Sequence, residues 1–264
     1  NRFLRQEGFP ALPQVQYEKR KLRYEDVYPV LYLKYRLSRQ AERSNIKHLV
    51  IDEMQDYSRL QYLIIRRMFS CKMTILGDRA QTMADQQQDV LQFLPGIFGK
   101  DLRRIEMRKS YRNTVEIASY AANLIGVTDL ELFERHGMPV LERNVTDLEA
   151  ALREAVDTLF PDEKTYETAA VIVPDEKTAE RAYLILREIL AEKDFDCEKR
   201  LSWLNRDSSS FKKGLTVTTF YLAKGLEFDQ VFSIFPKDEK REMMMQAQYI
   251  AATRALHELR VYHI

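Results

Sequence analysis

The chain has 264 residues, of which 45% are hydrophobic and 31% are charged, and its 41 basic and 40 acidic side chains leave a net charge of +1. This composition excludes a disordered or fibrous chain, and the length favours two domains over one. Because the charge is nearly balanced, any nucleic-acid surface must be a local patch. No apolar run reaches the roughly 18 residues that a membrane span needs, so no membrane partner is expected. Cys71 and Cys197 are far apart and have no His or Cys at ligand spacing, which argues against a zinc site or a disulfide framework and favours a reducing, cytoplasmic location.

Helical and strand patterns alternate along the chain. The first helix is predicted from about Val30, because Pro29 suits a first helical turn. Short apolar runs predict buried strands at 47–52, 72–78, 169–174, 215–220, 230–235 and 259–264. Apolar residues at helical spacing predict helices at 58–69, 113–125, 146–159, 176–192 and 241–257. The alternation predicts an α/β fold with a mainly parallel sheet flanked by helices.

Two segments read as breaks in this alternation. Two glycines and a proline interrupt the periodicity at 93–101, which places the predicted domain boundary directly after it, between domains 1–101 and 102–264. The polar stretch 205–214 ends in glycine and predicts a surface loop before the next strand.

The first predicted strand runs directly into carboxylates, in the stretch HLVIDEMQDYS. The carboxyl ends of parallel strands open onto the ligand crevice of such a sheet, so Asp52 and Glu53 are candidate site residues. An aspartate there can hold Mg²⁺ through water, and a neighbouring glutamate can polarise an attacking water. Acidic residues also cap helices, and Asp56 and Ser58 are both candidate N-caps for the helix that follows. Capping explains little of the Asp52–Glu53 pair.

Further candidate residues follow the second strand and a later basic segment. The run GDRAQ at 77–81 supplies a turn glycine, the carboxylate of Asp78 and Gln81, whose amide can reach a phosphate or the attacking water. In MRKSYRNT, Tyr111 and Arg112 suit a nucleotide site, where a ring stacks on the base and a guanidinium meets phosphate. A solvated basic turn is the alternative interpretation of this segment, and it would hold for Arg108 and Lys109.

Two segments near the end of the chain add a second set of polar residues. TTFYLAKGLEFDQV sets Lys224, Gly225 and Glu227 after a predicted strand, and YIAATRALHEL sets Arg254 on a predicted helix of small residues. An ion-pair partner is the ordinary role for a lone arginine on such a helix, and a catalytic role is the alternative.

Taken in order, VIDEMQD, LGDRAQ, KSYRN, KGLEFD and YIAATRA resemble motifs II to VI of the superfamily 1 helicases, the UvrD/Rep-like ATP-dependent DNA translocases. The resemblance implies RecA-like domains of the P-loop NTPase fold, the first one incomplete here, with ATP held between them and DNA as the partner. It also implies a set of site roles: Mg²⁺ binding by Asp52 and Glu53, water activation by Glu53, γ-phosphate sensing by Gln81, adenine stacking by Tyr111, γ-phosphate contact by Arg112, nucleotide binding through Lys224, Gly225 and Glu227, an arginine finger at Arg254, and nucleic-acid contacts at Thr219 and Tyr221.

One family element is missing from the sequence. No G-x-x-x-x-G-K-S/T phosphate loop occurs, and GIFGKD at 96–101 has the wrong spacing, lacks the final hydroxyl and follows the acidic motif. We therefore expect the chain to be the C-terminal part of a longer protein, separated here from its own N-terminal portion, and to hydrolyse no ATP alone.

Other segments resemble the HelD-like, helicase IV-type branch of the family: YLAKGLEFD, YEDVYPVLYLKYRL upstream of the acidic motif, and FERHGMPV. Only the stretch 113–223 separates the motif IV arginine from the motif V lysine, and Tyr221 stands where the family usually has histidine. This branch implies action on RNA polymerase. Three hypotheses stay open: a DNA translocase or helicase, an ATPase that remodels stalled RNA polymerase, and a non-catalytic interaction module.

Overall fold

The computed structural model describes residues 22–37, 43, 45–78, 81, 89–99, 102–107, 109–128, 131–160, 166–193, 196–208, 213–237 and 242–264. The chain divides into two compact units, Asn1–Arg104 and Ile105–Ile264. The predicted first domain lies partly outside the described residues, as do residues 79–80 of GDRAQ, 100–101 of GIFGKD and 209–212 of the predicted loop.

The first unit is built from helices around a pair of parallel strands. Its elements are α1 (Tyr24–Leu37), β1 (His48–Ile51), a 3₁₀ turn (Met54–Asp56), α2 (Arg59–Met68), β2 (Lys72–Ile75) and α3 (Val90–Phe98). β1 and β2 pair in register, with His48 opposite Lys72 and Ile51 opposite Ile75. Ile51, Tyr62, Val90 and Leu94 form the buried cluster beneath them. The register therefore brings the carboxyl ends of the two strands level with each other.

Helix α1 begins earlier than the sequence predicted. It starts at Tyr24, and Pro29 lies inside it instead of in the first turn. Acidic Glu25 and Asp26 occupy the first turn, and Lys34 and Arg36 the last, so the charges complement the helix dipole at both ends. Proline removes a single backbone donor, and the longer helix tolerates that loss.

Helix α3 contradicts the predicted break at 93–101. Asp89 caps it by accepting a hydrogen bond from the Leu91 amide at 3.1 Å, and the helix then runs through Pro95 to Phe98. Val90 and Leu94 lie one turn apart and are both buried, and this burial outweighs the poor helix propensity of proline. The helix stops at Gly99, whose φ of 78° is a conformation that glycine adopts without steric cost.

The second unit is an α/β layer structure. Its strands are β3 (Lys109–Ser110), β4 (Glu131–Leu132), β5 (Leu141–Asn144), β6 (Thr168–Val173), β7 (Leu201–Trp203), β8 (Gly214–Thr219), β9 (Phe228–Phe235) and β10 (Ala255–His263). Its helices are α4 (Val115–Leu124), α5 (Leu148–Asp157), α6 (Glu176–Ala191), α7 (Cys197–Arg200) and α8 (Glu242–Ala252). Six strands form a sheet in the order β5-β10-β9-β6-β8-β7, and every described pairing in it is parallel. This sheet confirms the predicted fold class.

Helices cover both faces of this sheet. Successive residues of a strand point to opposite faces, and Ala169 to Val173 of β6 are all 0% exposed. Residues of α5 and α6 pack with Val171 and Val173 in one core cluster. Within the described ranges, no helix combines the length and the apolar character that crossing a membrane requires.

All six predicted strands are confirmed, and among the described residues four short strands were missed. β5 reads LERN and is mostly exposed, so it carries no apolar run. β3 and β4 have two residues each, and β7 has three. Such strands are fixed by their pairing partners, and no local pattern reveals them.

The predicted helix at 241–257 is too long, and Arg254 does not lie on a helix. Helix α8 ends at Ala252, and β10 begins at Ala255, opposite Phe228 of β9. The Phe228 amide donates to the Arg254 carbonyl at 2.9 Å, so the backbone at residue 254 already takes part in the pairing between β10 and β9. Arg254 is therefore a turn residue, because strand pairing overrides the helical propensity of the surrounding alanines.

Candidate active site

In the first unit, backbone hydrogen bonds fix the segments that follow the two strands. The Leu76 amide donates to the Ile51 carbonyl at 2.8 Å, and the Met54 amide donates to the Leu76 carbonyl at 2.8 Å. These bonds extend the β1–β2 ladder past Ile51 and Ile75. They hold Asp52 and Glu53 beside the segment that carries Gly77 and Asp78.

Glu53 adopts a backbone conformation that is unusual for its residue type. Its φ and ψ are 50° and 52°, in the left-handed region, which costs a residue with a side chain about 1 kcal/mol or more. Its amide donates to Asp52 Oδ1 at 2.8 Å. The turn reverses the chain between β1 and the 3₁₀ turn, and Glu53 is half-buried while Asp52 is exposed.

The amide of Gln55 connects the two strand-end segments. Gln55 Nε2 donates to Glu53 Oε2 at 2.5 Å, and Gln55 Oε1 accepts from the Asp78 amide at 3.2 Å. Asp78 Oδ2 in turn accepts from Gln81 Nε2 at 3.0 Å. Sequence reasoning gave Gln55 no role, and the only signal for it was an amide inside an otherwise acidic run.

Ser58 is the N-cap of α2, which decides between the two predicted candidates. Its Oγ accepts from the Gln61 amide at 3.3 Å, while the Gln61 side chain accepts from the Ser58 amide at 2.7 Å. This reciprocal capping box satisfies the first free donors of the helix. Asp56 lies in the 3₁₀ turn and is exposed.

The donor set of the first unit fits Mg²⁺. Over the residues described, no three His, Cys, Asp or Glu side chains are grouped to hold a metal ion by themselves. Mg²⁺ usually keeps several waters and takes one or two protein carboxylates together with substrate phosphates. An exposed Asp52 beside a half-buried Glu53 supplies those carboxylates.

In the second unit, Arg112 and Glu227 form an ion pair that the sequence analysis did not predict. Arg112 Nε lies 2.6 Å from Glu227 Oε1, and both side chains are nearly half exposed, so solvent and ligand can reach the pair. Tyr111 is 60% exposed, and its ring centre lies 5.7 Å from that of Phe133. The exposed ring is available for stacking on a planar ligand.

Arg254 lies under the loop that carries Glu227. Its Nη1 donates to the Leu226 carbonyl at 3.4 Å, and its Nη2 donates to Thr253 Oγ1 at 3.2 Å. The residue is 2% exposed. The structure thus brings Arg254 to the same loop as Arg112, but it covers the guanidinium, so a contact with any ligand requires this loop to move.

The remaining predicted residues of motif V lie on and before that loop. Lys224 and Gly225 form a turn in which Gly225 has a φ of 75°. Thr219 ends β8 and is 1% exposed, so a nucleic acid can touch it only after rearrangement. Tyr221 donates its hydroxyl to Glu176 Oε1 at 2.9 Å.

Asn113 and Arg135, which sequence reasoning missed, donate hydrogen bonds to the backbone at or beside Arg254 and Arg112. Asn113 is buried, and its Nδ2 donates to the carbonyls of Thr253 at 3.2 Å and Ala255 at 2.6 Å, on either side of Arg254. Arg135 Nη2 donates to the Arg112 carbonyl and, at 2.8 Å, to the Leu256 carbonyl. Asn113 lies in KSYRN and Arg135 in FERHGMPV, two segments that carry the family resemblance, but neither residue was given a role there.

Glu116 anchors the segment after β4 to helix α4. It accepts from His136 Nδ1 at 2.8 Å and from the Gly137 amide at 2.9 Å. The hydrogen bond from His136 contributes most to lowering the pKa of the Glu116 carboxyl to about 2, and the bond from Gly137 adds to it. Because the folded pKa is depressed, the carboxylate stabilises the fold fully above its unfolded pKa of about 4.5, and this stabilisation is lost as the pH falls towards 2.

We expect Glu116→Gln to lower the stability of the second unit at pH 7 and to have much less effect at pH 3. Trp203, the single tryptophan of the chain, lies in this unit and reports its urea unfolding by fluorescence. Glu198→Gln removes the same charge at an exposed position and serves as the control. An equal loss of stability at both pH values would contradict the assignment.

Comparison with known proteins points to one family for part of the chain. Residues 15–83 match the UvrD/REP helicase N-terminal domain. The matched segment contains β1, β2, Asp52, Glu53 and Gln81. None of the curated proteins matches the chain.

Solved structures with some similarity are also helicases by their descriptions. The C-terminal domain of a possible DNA helicase from Lactobacillus plantarum WCFS1 is 24% identical, covers 59% of this chain and 88% of its own, and has a TM-score of 0.45. The PRRSV helicase is 17% identical over 82% of this chain and 35% of its own, with a TM-score of 0.45. Arterivirus nonstructural protein 10 (helicase) in complex with DNA is 14% identical over 82% of this chain and 39% of its own, again with a TM-score of 0.45. The chain thus spans well under half of the two viral proteins.

Proposed function

We propose that the chain is the C-terminal part of an ATP-dependent superfamily 1 DNA helicase or translocase. The observation that carries the proposal is the strand-end array of Asp52, Glu53, Asp78 and Gln81, which lies inside the segment that matches the UvrD/REP helicase N-terminal domain. Two aligned strand ends place together the carboxylates and the amide that metal binding and water activation use in nucleotide hydrolysis.

In the first unit, the chemistry is metal binding and water activation. Asp52 and Glu53 would hold Mg²⁺, which neutralises charge on the phosphates when it is bound. The Glu53 carboxylate accepts the proton of the water that attacks the γ-phosphorus. Gln81 orients that water or the γ-phosphate through its side-chain amide.

In the second unit, the chemistry is nucleotide recognition and charge stabilisation. The exposed ring of Tyr111 stacks on adenine, and Arg112 exchanges its partner Glu227 for phosphate. Arg254 acts as the arginine finger once the loop above it moves, and Lys224 and Gly225 belong to that loop. Asn113 and Arg135 hold both arginines in place.

The sequence lacks the phosphate loop, so the cycle requires the longer protein. We infer that the 264-residue chain alone hydrolyses no ATP, because nothing in its sequence supplies the lysine and backbone cradle for the β- and γ-phosphates. In the parent protein, ATP hydrolysis would drive movement on DNA.

A second candidate is an ATPase of the HelD-like branch that acts on stalled RNA polymerase. One observation favours it: at the position where the family usually has a histidine, Tyr221 is engaged within the protein. The Tyr221 hydroxyl donates to Glu176. The Arg206 guanidinium pairs with Glu176 at 2.8 Å and lies 5.9 Å from the centre of the Tyr221 ring. These contacts compete with a strand of DNA for the same side chain.

The test compares ATP hydrolysis by the parent protein and by the isolated chain. We expect steady-state hydrolysis by the parent that single-stranded DNA stimulates, and none by the chain. Stimulation by RNA polymerase instead of DNA would support the second candidate. A parent protein that neither binds nor hydrolyses ATP would leave only a non-catalytic interaction module, and clear hydrolysis by the chain alone would contradict the need for the missing loop.

A further inference from the structure

Gln55 is placed where only a link between the two strand-end segments explains its contacts. It is 6% exposed, although it belongs to a polar, acidic turn. Its two side-chain hydrogen bonds go to different segments, Glu53 after β1 and Asp78 after β2. A buried amide that satisfies both of its ends in this way is fixed in position.

The hydrogen-bond pattern permits a single orientation of the Gln55 amide. Glu53 Oε2 is an acceptor and therefore needs the NH₂ group, while the Asp78 amide is a donor and needs the oxygen. A flipped amide would set oxygen against carboxylate and NH₂ against N–H. The Gln55 amide therefore contacts the Glu53 carboxylate through its NH₂ group and the Asp78 backbone through its oxygen.

The chain of hydrogen bonds continues to Gln81. Asp78 Oδ2 accepts from the side-chain nitrogen Nε2 of Gln81. In addition, the backbone amide of Gln81 donates to the backbone carbonyl of Asp78 at 3.1 Å. Gln81 is 7% exposed, and its Oε1 is buried without a hydrogen-bond partner among the residues that the structure describes. A buried acceptor of this kind is costly unless a donor occupies the site.

Packing makes this link rigid. A Cβ atom on Gly77 would lie 2.4 Å from Met54 Cγ, 2.5 Å from Gln55 Oε1 and 2.7 Å from the Met54 nitrogen. The two segments therefore approach more closely than any residue except glycine allows. Gln55 Oε1 accepts from the Asp78 amide, so a shift of Asp78 acts directly on the Gln55 side chain.

We propose that Gln55 is a positioning residue that couples the water-activating carboxylate of Glu53 to the phosphate-sensing amide of Gln81. The inference rests on the proposed function and adds to it a link between two of its residues. When Gln81 engages a phosphate or water, Asp78 and then Gln55 fix the Glu53 carboxylate in the orientation that accepts a proton.

The first test measures the link without catalysis. In the 264-residue chain, Gln55→Met keeps the length of the side chain but removes both hydrogen bonds. We expect the amide proton of Asp78 to exchange with solvent at least about tenfold faster, since it loses its acceptor, while amides of the α2 interior keep their rates. Gln92→Met, at an exposed glutamine of α3, is the control. Unchanged exchange at Asp78 would overturn the proposal.

The second test uses ATP hydrolysis by the parent protein. Gln55→Met should lower kcat about 10- to 100-fold, as losing a partner that orients a reacting group commonly does, with the KM for ATP within about twofold of wild type. A merely structural role would instead lower kcat only in proportion to the folded fraction. Gln55→Asn, which keeps the amide on a shorter side chain, should recover part of kcat.

A double-mutant cycle with Gln81→Ala completes the test. Residues that act as one unit are non-additive, so the double variant should lose little more than the worse single variant. Fully additive losses would show that Gln55 and Gln81 act separately and would overturn the coupling. Wild-type parent protein without any ATP hydrolysis would count against the proposed function, whereas an active parent that Gln55→Met leaves unchanged would count against this inference alone.

Discussion

Glu53→Gln in the parent protein is expected to lower kcat for ATP hydrolysis by about 10³-fold, because a positioned general base contributes on the order of 10²- to 10⁴-fold. The substitution keeps the size of the side chain and its contact with Gln55, while it removes the proton-accepting charge. ATP binding should persist, since Mg²⁺ retains Asp52 as a ligand. The measurement is single-turnover hydrolysis beside equilibrium binding of a fluorescent ATP analogue.

The control for this variant is Glu25→Gln, which removes the same charge from an exposed position in the first turn of α1. It should leave kcat within about twofold, because surface substitutions away from special features usually change little. Retention of wild-type kcat by Glu53→Gln would assign the base to another residue. Loss of ATP binding together with kcat would make Glu53 primarily a metal ligand.

Arg254→Lys should cost about 10³-fold in kcat, the lower end of the range that arginine fingers contribute. Lysine keeps the charge but cannot reproduce the fork that reaches both the Leu226 carbonyl and Thr253. Because Arg254 is 2% exposed, the change should also lower the stability of the second unit. Hydrolysis by the parent protein gives kcat, and Trp203 fluorescence of the 264-residue chain gives the stability of the second unit, so the two effects are measured separately.

Arg153→Lys is the matched control, since Arg153 is half exposed and pairs with Glu149 on α5. It should change neither kcat nor the unfolding midpoint measurably, because exposed ion pairs contribute at most about 1 kcal/mol. If Arg254→Lys lowered stability but left kcat intact, Arg254 would be a purely structural arginine of the turn.

The strand-end carboxylates were predictable because each follows a strong local signal. An apolar run that ends in Asp52 and Glu53 needs no knowledge of the rest of the chain. The link through Gln55 was not predictable, because it depends on the register that sets Ile51 opposite Ile75. A shift of that register would move Gln55 out of reach of Asp78, and nothing in the local sequence fixes the register.

The errors in the second unit have the same origin. The alanines around Arg254 have helical propensity, and only the pairing of Ala255 with Phe228 shows that the helix has already ended. Likewise, β5 is a polar segment that becomes a strand because β10 lies beside it. Local patterns predicted the elements that bury their own apolar side chains, and they failed where a distant strand provides the backbone partner.

The place of β10 in the sheet also constrains how the protein is made. Leu141–Asn144 pairs with Arg260–His263, and β10 separates β5 from β9. During translation, β5 leaves the ribosome long before its only described neighbour in the sheet exists, and β9 waits with an open edge. Unpaired edges invite association with other chains. The second unit therefore completes its sheet only after synthesis of residues 255–263, and a nascent chain that stalls before this point leaves strand edges unpaired.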